Sequence, residues 1–85
     1  MSAKLLVITN KADKQLRKLP KRIQIRVFKS LTQLKEDPLR GIKLAGDLSG
    51  SYKLRLGDYR IVYDFHSKKS VVVILKIEHR QGVYK

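Results

Sequence analysis

Ser51 to Phe65 reads SYKLRLGDYRIVYDF, two alternating runs joined by Gly57-Asp58. A Gly-Asp pair between alternating segments is a two-residue hairpin loop, and that loop sets the pairing by arithmetic. Leu56 faces Tyr59, Arg55 faces Arg60, Leu54 faces Ile61, Lys53 faces Val62 and Tyr52 faces Tyr63. Side chains alternate across a strand. One face therefore carries Tyr52, Leu54, Leu56, Tyr59, Ile61, Tyr63 and Phe65, which is a core surface. The other carries Lys53, Arg55 and Arg60, with Val62 and Asp64 further along.

Outward from the hairpin, Ser70 to Ile77 (SVVVILKI) is apolar on both faces, the pattern of a central strand covered on both sides. Lys4 to Thr9 (KLLVIT) suits a short strand. Thr9 or Asn10 then caps a helix with Ala12, Leu16 and Leu19 at helical spacing. Pro20 ends that helix and opens a second, whose stripe is Ile23, Val27, Leu31 and Leu34. Asp37-Pro38 stops it, because the residue before a proline is pushed out of the helical region. Leu39 to Gly50 reads as a loop, and Glu78 to Lys85 as a polar tail carrying His79, Arg80 and Tyr84. No linker or repeat divides the chain. The expected fold is α+β: one domain over residues 1–85, an N-terminal strand and helical hairpin packed on an antiparallel β-sheet.

The charge is extreme. Twenty Lys and Arg against seven Asp and Glu leave +13 on 85 residues, where a small domain normally carries about 2–8 in magnitude. A polyanionic partner relieves that self-repulsion. Without cysteine, and with only His66 and His79 as histidines, no disulfide framework or zinc site is expected. No apolar run reaches the ~20 residues that span a bilayer, nor the ~7 of a secretory signal core. The expectation is a cytoplasmic protein with no membrane partner, no metal and no cofactor. The seven carboxylates form no spaced pair for acid–base work, and the glycines match neither a Walker loop nor a dinucleotide fingerprint. Any chemistry must run on basic groups.

Like charges directly opposite one another destabilise a sheet, so Arg55 across from Arg60 needs a use. An anion-binding surface for phosphate supplies one. Arg80 can add a two-donor clamp, and Tyr84 a ring on which an unpaired base stacks. Set against this, exposed basic side chains on a solvated sheet face can be inert.

In SYKLRLGDYRIVYDF followed by IEHRQGVYK, with the helical stretch LRKLPKR and the approach KLAGDLSGSYKLR, the sequence resembles the RelE/ParE toxin superfamily. It is most similar there to the RelE-type mRNA interferases. The resemblance implies a RelE-like fold and a toxin of a type II toxin–antitoxin system. It implies a metal-independent endoribonuclease that enters the ribosomal A site and cuts mRNA by attack of the message's own 2′-hydroxyl. By the same resemblance Lys53 is the general base and Arg60 holds the scissile phosphate. Arg80 serves the leaving oxygen and Tyr84 orients a base. Arg55 and His79 are substrate-binding, with His79 the alternative to Arg80 as general acid. The implied partners are the ribosome with its mRNA, and a cognate antitoxin that is acidic or brings an amphipathic helix, for which the helical surface around Ile25 is a candidate contact. Two other functions share these residues: ParE-like inhibition of DNA gyrase by binding, and non-catalytic RNA or ribosome binding.

Overall fold

The computed structural model describes residues 2–43 and 51–79. β1 (Leu5–Ile8) leads into two helices, α1 (Asn10–Arg17) and α2 (Lys21–Glu36). Four strands follow: β2 (Ile42–Lys43), β3 (Ser51–Leu56), β4 (Tyr59–His66) and β5 (Val71–His79). They form one sheet in the order β1-β5-β4-β3-β2.

Thr9 starts α1 by accepting a hydrogen bond from the Ala12 amide at 3.2 Å, so one orphan donor of the first turn is satisfied. Ala12 and Leu16 are its buried positions. The turn into α2 is held by Gln24, whose amide donates to the Leu19 carbonyl at 2.9 Å. In α2, Val27, Ser30, Leu31 and Leu34 are buried. These residues meet Ile61, Tyr63, Val72, Ile74 and Ile77 from the sheet in a single core. Both helices thus cover one sheet face.

The hairpin has the expected register throughout, from Tyr52 opposite Tyr63 to Leu56 opposite Tyr59. Gly57 adopts φ 61°, the positive value a type II′ loop places on its first residue.

Elsewhere the structure departs from expectation. The sheet is mixed rather than antiparallel, because β1 runs parallel to β5 with Leu5 opposite Val71 and Ile8 opposite Ile74. The residues read as a loop contain β2, with Ile42 opposite Lys53; residues 44–50 lie outside the described residues. β5 extends through Glu78 and His79, which had been placed in the tail. β5 is central, but only one of its faces is fully covered. Leu5 and Val7 are exposed on the far side, next to half-buried Val71 and Val73.

Candidate functional site

Two cross-strand rows build the face opposite the helices. The first runs Ile42–Lys53–Val62–Lys76 across β2, β3, β4 and β5, and the second runs Arg55–Arg60–Glu78. Neighbouring strands lie about 4.8 Å apart, and rows two residues apart are separated by about 7 Å. Lys53, Arg55, Arg60 and Lys76 therefore share one surface.

A β-bulge puts the β5 residues there. Val62 pairs with Lys76 but Tyr63 pairs with Ile74, leaving Leu75 as the extra residue. Without it, strict alternation would send Ile77 to the charged face and Lys76 toward the core. With it, Ile77 is buried beside Ile61, and Lys76 and Glu78 point with Arg60. α1 secures the irregular backbone. The Thr9 hydroxyl donates to the Ile74 carbonyl at 2.9 Å, and Gln15 Oε1 accepts from the Ile77 amide at 2.8 Å.

Glu78 changes the electrostatics that the sequence suggested. Its Oε2 accepts from Arg60 Nε at 3.1 Å and from Nη2 at 3.0 Å, while its Oε1 lies 2.6 Å from Lys76 Nζ. Asp64 is thus not the only acid on this face; it accepts from the Ser51 hydroxyl at 2.6 Å. Burial pushes the Glu78 carboxyl up, but hydrogen bonds and charge from Lys76 and Arg60 outweigh it and hold the group below its ordinary value. The facing arginines are tolerated because a carboxylate neutralises one of them.

Of the residues singled out in the sequence, Lys53, Arg55 and Arg60 come together as the hairpin arithmetic required. His79 does not join them. It opposes Tyr59 and meets that ring edge-on, with centroids 4.8 Å apart, one residue out of phase with Glu78. Arg80 and Tyr84 lie outside the described residues. Lys76 and Glu78 were missed, because the sequence hides the bulge: Val71, Val73, Leu75 and Ile77 keep an unbroken period of two, and the step of three from Ile74 to Ile77 shows only in which side chains are buried. Among the described residues, no three His, Asp or Glu side chains gather as a metal site requires.

A helical hairpin thus covers one face of a five-stranded sheet, and Lys53, Arg55, Arg60 and Lys76 make the opposite face cationic. Comparison with known proteins places the chain. The sequence model of the ParE toxin of type II toxin–antitoxin system, parDE, matches residues 6–84. Toxin RelG of Mycobacterium tuberculosis is 37% identical over 79 residues, 91% of each chain. The toxin–antitoxin complex RelBE2 from the same organism superposes with TM-score 0.85 at 35% identity, covering 94% of each chain. A mutant of Escherichia coli toxin RelE in the free state gives TM-score 0.81 at 28% identity, covering 99% of this chain and 90% of that one. The chain belongs to the RelE/ParE superfamily and is a RelE-family toxin of a type II toxin–antitoxin system.

Proposed function

We propose that this toxin is a ribosome-dependent, metal-independent endoribonuclease that enters the ribosomal A site and cleaves mRNA. The observation that carries the reading is the convergence of Lys53, Arg55 and Arg60 on one sheet face, in a chain similar to RelE toxins. Lys53 takes the proton from a 2′-hydroxyl of the message, and the 2′-oxygen forms a bond to the adjacent phosphorus. Arg60 and Arg55 stabilise the charge that grows on the phosphoryl oxygens. The bond to the 5′-oxygen breaks and Arg80 supplies its proton, leaving a 2′,3′-cyclic phosphate and a 5′-hydroxyl. Arg80 takes this role over His79, whose ring packs against Tyr59 on the helix side. Tyr84 stacks on a base and orients it.

The test is cleavage of a defined message on programmed ribosomes. The wild-type protein cuts within the A-site codon, and Arg60→Ala lowers the rate about 10²–10³-fold, the effect of removing one donor to a developing oxyanion. An intact message would end this reading. A second reading is inhibition of DNA gyrase by binding, favoured by the match to the ParE family. It would be selected if supercoiling failed in expressing cells while mRNA stayed whole.

The partner in the cell is a cognate antitoxin. Similar toxins have been crystallised with theirs, including those of M. tuberculosis and Pyrococcus horikoshii. Against a chain of +13 the antitoxin supplies acidic residues as well as apolar contact.

A further inference from the structure

Glu78 sits where a negative charge should be harmful. It lies on the face proposed to receive phosphate, in contact with the arginine proposed to hold it, and its side chain is only 17% exposed. The atoms it uses resolve the conflict. Both bonds from Arg60, through Nε and Nη2, end on the same carboxylate oxygen, Oε2. A guanidinium has five N–H donors in a rigid plane. Glu78 consumes two along the side edge, leaving both hydrogens of Nη1 and one of Nη2. One Nη1 hydrogen and the remaining Nη2 hydrogen form the end edge of the fork, which can grip two phosphate oxygens at once, while the second Nη1 hydrogen points back toward Cδ. The other carboxylate oxygen, Oε1, is anchored by Lys76.

We propose that Glu78 is a positioning residue, which holds the side edge of Arg60 so that its end edge is presented to the scissile phosphate. Lys76 fixes Glu78 in turn, and the bulge at Leu75 puts both side chains on Arg60's face. This inference rests on the phosphate-cleaving reading for its substrate, whereas the geometry of the Glu78–Arg60 pair stands without it. The opposing possibility is that Glu78 merely occupies Arg60 and is displaced when phosphate arrives. The two differ in sign. A positioning residue raises kcat, because pre-aligned donors need no reorganisation in the transition state. A competitor raises KM.

Two measurements on Glu78→Ala decide between them, with circular dichroism confirming the fold. On programmed ribosomes the variant loses kcat by about 10–100-fold, the cost of misplacing a reacting group, while KM stays unchanged or falls. Glu78→Asp, which keeps the carboxylate, recovers part of the loss. A fall in KM with kcat unchanged, or no change in either, overturns the proposal. Independently, the Arg60 Nε–H resonance is followed while inorganic phosphate is added. In the wild-type protein it keeps its hydrogen-bonded position as the Nη resonances move, and in Glu78→Ala, which has no side-chain acceptor, it starts at the free-arginine position. Collapse of the wild-type Nε–H signal on adding phosphate would mean displacement and would overturn the proposal. If the wild-type protein cuts no message, the endonuclease reading falls, and the resonance experiment still decides the role of Glu78.

Discussion

Tyr63 shows how much a single side chain can organise. It is fully buried and stacks on Tyr52 with ring centroids 5.3 Å apart. Its hydroxyl donates to the Pro38 carbonyl at 2.8 Å and accepts from the Gly41 amide at 2.9 Å. It therefore ties the end of α2 to the start of β2. Gly41 has to be glycine there, since a Cβ would come within 2.7 Å of the Lys53 carbonyl. Tyr63→Phe leaves two backbone groups without their partner and is expected to cost about 1–3 kcal/mol, read as a lower urea midpoint with unchanged slope. Burial also pushes the phenol above its ordinary value of 10.0, against a smaller lowering by the Gly41 amide. A raised folded value favours the protonated form. This contribution is complete below pH 10 and is lost as pH climbs through the higher folded value. Glu78 has the opposite sign: held below 4.5, it stabilises above that pH and ceases to do so as pH falls through its lower folded value. Stability against pH should decline at both ends, and Tyr63→Phe should flatten the alkaline limb.

Among the elements, β5 is where sequence reading and structure diverge most. The β3–β4 hairpin was legible to the residue, because its register depends only on a two-residue loop and on alternation within fifteen positions. The pairing of β1 with β5 was not. It joins residues 66 apart, and nothing local in KLLVIT states which strand it will meet or in which direction. The bulge was not legible. Val71 to Leu75 are all apolar and Ile77 continues the alternation of Val71, Val73 and Leu75, and what holds the bulge is the cap threonine of α1 and a glutamine within it, brought there by tertiary packing. The faces of Glu78 and His79 follow from that bulge, whereas the sequence alone reads both residues as part of a polar tail. Gln15→Leu should expose the dependence. It keeps the size of the side chain but strands the Ile77 amide, with an expected loss of about 1–3 kcal/mol in chemical unfolding. Because the same amide lies between Lys76 and Glu78, the rate of message cleavage should fall as well.

For the molecule as a whole, charge and exposed apolar surface divide the work. The sheet face carries the cationic groups proposed to hold phosphate, whereas α2 turns Ile25 and Phe28 outward, each 52% exposed, among Arg22, Arg26 and Lys29. An acidic amphipathic helix complements that surface in both respects. Replacing Ile25 and Phe28 together by serine is expected to weaken binding of the cognate antitoxin at least tenfold, about 1.4 kcal/mol, in calorimetric titration. Message cleavage should be untouched, since neither residue lies on the sheet. Unchanged affinity would assign the antitoxin to another surface.

The parallel seam between β1 and β5 also has a temporal meaning. The first of the described strands waits for the last. Until Val71–Ile74 is made, Leu5–Ile8 has no neighbour, and the threonine that braces the bulge has no carbonyl to reach. Closing so distant a contact is slow compared with closing local ones. A nascent chain interrupted before that point has its cationic hairpin but lacks the strand that carries Glu78, the partner of Arg60, so the cationic face is incomplete until that strand has been made.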